Sequence, residues 1–140
     1  MTRGYFFEDL HLGQGATLSK TITDADIQMY SAISLDTNPI HLDEEAGRQS
    51  RFGGRIAHGM LSAGLISALL GTRLPGPGTI YLRQSLNFRA PVKIGQTVRA
   101  TVEITDLNLP RKSVTLRTQC LVRENVVIDG EAIVLVPTRD

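Results

Sequence analysis

Residues 59–71 read GMLSAGLISALLG, and this stretch decides the fold. It is apolar on nearly every helical face, with glycine and alanine interspersed. Gly53-Gly54 precedes it and the Pro/Gly cluster at 75–78 follows it, and these breakers predict a helix over about 56–72. A helix without a polar face must be enclosed by other elements, because it cannot lie on a surface with one side in water.

The second half of the chain changes to a period of two. In 97–105, TVRATVEIT, apolar and polar residues alternate, which is typical of a half-buried antiparallel strand. The same pattern predicts strands in 113–123 and 126–136, and 79–92 is expected to be the first strand of the set. One buried helix followed by antiparallel strands indicates an α+β architecture. The length indicates a single domain, 1–140.

Composition and charge exclude several classes of protein. The 15 Lys and Arg residues nearly balance the 14 Asp and Glu residues, so the net charge of +1 gives no broad basic field for nucleic acid. The most apolar stretch is shorter than the roughly 20 residues that span a bilayer, and the N-terminus lacks the apolar core of a signal peptide. The single cysteine, Cys120, cannot form a disulfide within one chain. We therefore expect a cytoplasmic protein with no nucleic-acid or membrane partner.

The octapeptide SLDTNPIH at 34–41 is the second informative segment. A capping-box pattern, T-x-x-D, predicts a short helix over about 24–33 that leads directly into it. Asn38-Pro39 is a turn signal, because proline disfavours the α conformation in the residue before it. Asp36 and His41 therefore flank a bend.

Two interpretations of this bend compete. A carboxylate and an imidazole that converge on one water molecule could orient it, take its proton and later return one, which is general acid–base catalysis. Histidine suits this role because its unperturbed pKa lies near neutrality. In the structural alternative, Asp36 and Asn38 cap the bend through its backbone and His41 packs against the next turn. The spacing alone does not decide between them.

The start of the predicted central helix offers a second chemical group. Several backbone N–H groups there lack intrahelical partners, and the helix dipole favours negative charge. Gly59 would let a ligand approach this backbone closely, so its N–H is a candidate donor to a carbonyl oxygen that becomes an enolate. Tight packing of the helix start against a strand would also explain a glycine here.

Four segments carry a resemblance to a known family through their order and spacing: ADIQMYSAIS, SLDTNPIHLDEEA, GRIAHGMLSAG and LNFRAPVKIGQTV. They resemble the MaoC-like hydratases and, within these, the (R)-specific enoyl-CoA hydratases. The resemblance implies the hot-dog fold, an antiparallel β-sheet wrapped around a long central α-helix. It also implies a homodimer, an acyl-CoA thioester substrate bound at the subunit interface, and chemistry that needs no metal or other cofactor.

The resemblance implies a role for each of five residues. Asp36 and His41 match the family's catalytic pair, which activates water for syn addition to C3 of a trans-2-enoyl thioester and gives the (R)-3-hydroxyacyl product. Gly59 matches the residue whose backbone N–H polarises the thioester carbonyl. Asn38 matches a residue that fixes the bend, and Ser62 matches a position that can hydrogen-bond the catalytic aspartate. The product would feed polymer synthesis, such as that of polyhydroxyalkanoate, or lipid synthesis.

Leu35 departs from the family, in which many relatives have glycine before the aspartate. A bulky residue is expected to resist a positive φ at this position and to point into the acyl pocket. Two other functions stay open. One is a hot-dog thioesterase, which directs water at the carbonyl carbon, and the other is a non-catalytic acyl-thioester-binding subunit whose water site Leu35 spoils. The fold cannot separate these functions, because one scaffold hosts several chemistries.

Overall fold

Four helices and six strands make up the fold in the computed structural model, which describes residues 3–139. The helices are α1 (Asp24–Ser34), α2 (Pro39–Leu42), α3 (Glu44–Gln49) and α4 (Gly59–Thr72). The strands are β1 (Gly15–Thr21), β2 (Ile80–Gln84), β3 (Asn87–Phe88), β4 (Thr97–Asn108), β5 (Ser113–Val122) and β6 (Asn125–Leu135). A 3₁₀ turn at Phe7–Asp9 precedes β1.

The six strands form one antiparallel sheet that packs on α4. Its order is β1-β4-β5-β6-β2, and β3 pairs with β6 beyond the end of β2. The helix α4 contacts β1, β4 and β5. One central helix covered by an antiparallel sheet confirms the predicted α+β class.

The core lies between α4 and the sheet, and the period-two pattern supplies its strand side. The inward positions of β4 are all buried, as predicted: Val98, Ala100, Val102 and Ile104. From the helix, Ile66 and Leu69 are fully buried against them. Each of the Val, Ile and Leu side chains contributes about 1.5–3 kcal/mol relative to an exposed position, so this layer is a main source of stability.

The central helix begins later than predicted, at Gly59. The preceding residues are held extended by backbone bonds to a distant segment: Ile56 forms a β-bridge with Lys93, and Ala57 N–H donates to the Val92 carbonyl at 2.7 Å. A local pattern does not reveal such long-range bonds. Neither α4 nor any other helix within residues 3–139 is long and apolar enough to cross a membrane.

The strands differ from the prediction in two places. Strand β1 was not predicted, because it is an edge strand whose residues are exposed or half-buried and so show little hydrophobic alternation. The predicted strand at 79–92 is divided into β2 and β3 at Ser85. The chain passes β6 so closely there that a Cβ on Gly130 would lie 1.8 Å from the Ser85 carbonyl oxygen. Gly130 therefore permits this crossing.

One side of α4 is not covered by the chain itself. Met60, Gly64 and Ser67 are exposed on it, and they line a groove of about 380 Å³ together with Tyr81 and Leu82 of β2. We call these five residues the open face. The expectation that other elements enclose α4 is therefore wrong on this side of the helix, because one sheet can cover only one side of a helix.

Truncation of a core side chain on α4 tests the packing between helix and sheet. We expect Ile66→Ala to lower the free energy of unfolding by about 2–5 kcal/mol, because it removes buried apolar volume and leaves a cavity. Urea denaturation followed by circular dichroism measures this change. The control, Ser19→Ala on the exposed strand β1, should stay within about 0.5 kcal/mol of wild type. Equal loss in both variants would contradict the assigned core.

Candidate active site

The bend at 34–41 begins where α1 ends. Leu35 is the C-cap of α1 and has φ 66° and ψ 11°, the left-handed conformation. Its N–H donates to the Ser31 carbonyl, and the N–H of Asp36 then donates to Ser34 Oγ at 3.1 Å. Leu35 thus adopts the positive φ that a bulky residue was expected to resist. Its side chain is 82% exposed in the single subunit, so the expectation that it points into a pocket is also wrong there.

Asn38 fixes the second half of the bend. Its N–H donates to Asp36 Oδ1 and its own Oδ1 accepts from the Ile40 N–H, both at 3.2 Å, which makes Asn38 the N-cap of α2. Pro39 occupies the first helical position, where its missing N–H costs nothing. The turn interpretation is therefore confirmed, and the hydrogen bond from the Asn38 N–H also orients the Asp36 carboxylate.

His41 is buried, at 8% exposure, and its ring is fixed by a backbone acceptor. Nδ1 lies 2.7 Å from the Ile56 carbonyl oxygen. A carbonyl oxygen only accepts, so Nδ1 carries the hydrogen and Nε2 keeps its lone pair. A carboxylate oxygen of exposed Asp36, a ring nitrogen of His41 and a ring nitrogen of His58 lie within 4.8 Å of one another. The predicted pair does come together, with a free imidazole nitrogen available as a base.

His58 is the third member of this group, and sequence reasoning gave it no role. Its ring stacks on His41, with 3.9 Å between centroids and 28° between planes. Its Nε2 lies 2.9 Å from the Asp36 carbonyl oxygen. Two histidines and a carboxylate can hold a metal, but metal-bound imidazoles aim their in-plane nitrogens at one ion. The face-to-face stacking of these rings favours acid–base chemistry over a metal site.

Arg55 contacts the backbone of the bend, and its role was not predicted from the sequence. Its side chain is 8% exposed, and Nε–H donates to the His41 carbonyl at 2.7 Å. The guanidinium also pairs with Asp24 at 2.6 Å and with Glu44 at 3.0 Å. Burial opposes its charge, but the hydrogen bonds that the guanidinium donates to the two carboxylates outweigh burial and raise the pKa of Arg55. The hydrogen bond from Arg55 lowers the pKa of Asp24 in turn.

Gly59 is the first residue of α4, so its N–H has no intrahelical partner. A Cβ at this position would lie 2.6 Å from two carbon atoms of the Phe88 ring. The close packing and the free donor expected of this glycine therefore coexist. Next to it lies a cavity of about 480 Å³, lined by His58, Gly59 and Ser62 and by mainly apolar residues that include Phe52, Ile56, Phe88, Val92 and Ile128.

Ser62 corrects one expectation. It is 1% exposed, and its Oγ has no hydrogen-bond partner among residues 3–139. The predicted hydrogen bond from Ser62 to Asp36 is therefore absent. The reason is spatial: Ser62 lies one turn inside α4 and lines the cavity, whereas Asp36 lies on the exposed bend and does not.

The sequence and the fold of the chain are both similar to those of known proteins. The family model described as MaoC like domain matches residues 11–126. An (R)-specific enoyl-CoA hydratase of Rhodospirillum rubrum is 57% identical over 135 residues, covering 96% of this chain and 94% of the relative. A 3-hydroxybutyryl-CoA dehydratase of Methylorubrum extorquens is 49% identical, covering 99% and 88%. The solved (R)-hydratase from Aeromonas caviae, involved in PHA biosynthesis, superposes with a TM-score of 0.90 at 43% identity, covering 93% and 99%. The hot-dog fold is thereby confirmed.

The left-handed conformation of Leu35 generates a stability prediction. A side chain at positive φ lowers stability by about 1–2 kcal/mol. Glycine removes this strain, but the larger conformational entropy of glycine in the unfolded chain offsets part of the gain. We expect Leu35→Gly to raise the free energy of unfolding by about 0.5–1 kcal/mol in urea denaturation. Leu35→Ala keeps a Cβ and should not gain this increment. A gain of the same size in both variants would mean that the exposed side chain, and not φ, is the cause.

Proposed function

The chain belongs to the MaoC-like family, and from that membership we propose that it is an (R)-specific enoyl-CoA hydratase. The proposed reaction is the reversible addition of water to trans-2-enoyl-CoA, giving (R)-3-hydroxyacyl-CoA. High identity to relatives that carry this activity or its reverse in their names supports the class of reaction. The single observation that carries the mechanism is the His41 ring, held through Nδ1 by the Ile56 carbonyl, with one of its ring nitrogens within 4.8 Å of an Asp36 carboxylate oxygen.

In the proposed mechanism, Asp36 and His41 hold one water molecule. The water oxygen forms a bond to C3 while one water proton passes to His41 Nε2. The electron pair of the C2–C3 double bond moves toward the thioester oxygen as an enolate, and C2 then takes a proton from the Asp36–His41 pair. Because the same two side chains direct the hydroxyl to C3 and the proton to C2, both add to one face of the double bond and the addition is syn. Histidine can give and take this proton because its ordinary pKa is close to neutral pH.

Gly59 is proposed to stabilise the enolate. Its N–H stands at the N-terminus of α4, where the helix dipole favours developing negative charge. The adjacent cavity of about 480 Å³ is mostly apolar in its lining and would hold the acyl chain. With a base at His41 and an electrophile at Gly59, the proposed chemistry needs no metal or other cofactor. We propose the whole of 1–140 as one catalytic domain in the cytoplasm, where a free buried cysteine stays reduced.

Loss of the ultraviolet absorbance of the enoyl thioester tests this function. With crotonyl-CoA we expect rapid loss in wild type, (R)-3-hydroxybutyryl-CoA as product, and no release of free thiol. Asp36→Asn and His41→Gln should lower kcat/KM by about 10²–10⁴-fold, because each removes one half of the acid–base pair. Glu45→Gln, an exposed carboxylate on α3, is the matched control and should keep wild-type rates.

Three results would count against the proposal. Release of free thiol would indicate a thioesterase. Tight binding of crotonyl-CoA and of longer enoyl thioesters without turnover would indicate a binding subunit. Rapid hydration that survives both substitutions would leave the reaction class standing but reject the catalytic pair.

We also propose that a second copy of the chain covers the open face, forming a homodimer. The exposed apolar side chains of Met60 and Leu82 and the unpaired edge of β2 support a partner on this side of the sheet. A second β2 strand would satisfy that edge and extend the sheet. The acyl-thioester substrate would then lie near the subunit boundary.

The mass in solution tests the dimer. Light scattering coupled to gel filtration should give twice the chain mass for wild type. Leu82→Glu should shift the protein toward monomer, because it places a charge in the apolar contact. Leu109→Glu is the control, since Leu109 is similarly exposed but lies in the turn between β4 and β5. A monomeric wild type, or equal dissociation by both substitutions, would reject this interface.

A further inference from the structure

His58 occupies the point where the parts of the candidate site meet. It is 2% exposed, and its ring has neighbours from three segments of the chain. Ser31 Oγ on α1 lies 3.1 Å from Nε2, and the ring of Tyr30 lies 4.7 Å away between centroids. Nε2 also lies 2.9 Å from the carbonyl oxygen of Asp36, and the His41 ring stacks on the ring of His58.

The hydrogen-bond partners of His58 define its tautomer. Nε2 lies 2.9 Å from the Asp36 carbonyl oxygen, which can only accept, so Nε2 carries a hydrogen. Nδ1 is buried and has no hydrogen-bond partner among residues 3–139. A hydrogen on Nδ1 would therefore be buried without an acceptor. The hydrogen-bond partners of His58 therefore fit a neutral ring that carries its hydrogen on Nε2.

This arrangement constrains His41 from a second direction. The Ile56 carbonyl holds one edge of the His41 ring through Nδ1–H, but a single hydrogen bond leaves the ring free to tilt. The stacked face of His58, 3.9 Å away between centroids, restricts that tilt. The two contacts together fix the direction in which His41 Nε2 points.

His58 also constrains Asp36 and the N–H of Gly59. The hydrogen bond from Nε2 holds the main chain of Asp36, the residue whose carboxylate must share the water. His58 is the N-cap of α4 and is bonded directly to Gly59, whose N–H is the proposed oxyanion donor. A shift of His58 would therefore move the base, the carboxylate and the donor relative to one another. An error of about 1 Å in such a geometry can cost on the order of 100-fold in rate.

We propose that His58 is the positioning residue of this site: in its neutral Nε2–H tautomer it holds the Asp36 main chain and the His41 ring in register with the Gly59 N–H. This assignment rests on the proposed hydratase function. His58 does not touch the reacting atoms and acts through the residues that do. The opposing interpretation is that His58 only fills the core, in which case its loss would lower stability without a specific effect on turnover.

Three substitutions separate the two contacts of His58. His58→Gln places an amide N–H near the position of Nε2 and keeps the donor to Asp36 while removing the ring. His58→Phe keeps a flat ring against His41 and removes the donor. His58→Ala removes both. His11→Gln, at an exposed histidine remote in sequence from the site, is the control for loss of a histidine.

Steady-state kinetics with crotonyl-CoA provide the first measurement. We expect His58→Ala to lower kcat by about 10–100-fold while KM changes by less than about threefold, because the ring is only 2% exposed where it lines the cavity and its loss costs alignment more than substrate contact. His58→Gln and His58→Phe should each recover part of kcat over His58→Ala. An unchanged kcat in His58→Ala, or recovery by neither variant when all three melt cooperatively, would overturn the assignment.

Long-range ¹H–¹⁵N NMR of the histidine rings provides a measurement that does not depend on activity. In wild type, His58 should show the Nε2–H tautomer and His41 the Nδ1–H tautomer. In His58→Phe, His41 should lose its single fixed tautomer. A wild-type His58 with hydrogen on Nδ1 would overturn the proposal even if the enzyme hydrates crotonyl-CoA. If wild type hydrates no enoyl thioester, the proposed function fails, whereas the NMR comparison still decides whether His58 orders the pair.

Discussion

The backbone bonds that join 56–57 to the segment before β4 are the constraint on which the site depends. Ala57 N–H to the Val92 carbonyl and the bridge from Ile56 to Lys93 pin the chain immediately before α4. Four of the residues 55–59 then contribute a contact: the Arg55 guanidinium to the bend, the Ile56 carbonyl to the His41 ring, the stacked His58 imidazole and the N–H of Gly59 at the helix start. Neighbouring residues held by the segment before β4 thus align groups that lie far apart in sequence.

Those parts of the molecule that depend on local patterns could be predicted from the sequence. Alternation identified β4 through residues such as Val98, and the proline bend identified Asp36 and His41 as a pair. The predictions that failed concern features that depend on contacts between residues far apart in sequence, or on the absence of such contacts. The edge strand β1 has too little buried surface to show a pattern, and nothing local reveals that Arg55 reaches back to three segments or that Ser62 is separated from the bend.

Charge supports the bend through α1. The N-terminus of this helix carries two carboxylates, and their pKa values are lowered by hydrogen bonds from Arg55 to Asp24 and from Lys20 to Asp26. A carboxyl with a lowered pKa stabilises the folded state above its ordinary pKa, and this contribution disappears as the pH falls through the lowered value. Acid therefore removes a stabilising contribution at the N-terminus of the helix that leads into the bend, while the apolar contacts between α4 and the sheet carry no such dependence.

The position of Cys120 has a chemical consequence for an enzyme of this kind. Enoyl thioesters are electrophiles that alkylate thiolates at the same carbon to which water adds. Cys120 is fully buried on β5, its Sγ–H donates to the Ser62 carbonyl at 3.5 Å, and burial raises the pKa of its thiol to about 12. At neutral pH only about one thiol in 10⁵ would be ionised. The chain thus keeps its one thiol protonated and packed against α4, where an enoyl thioester would meet no thiolate to alkylate.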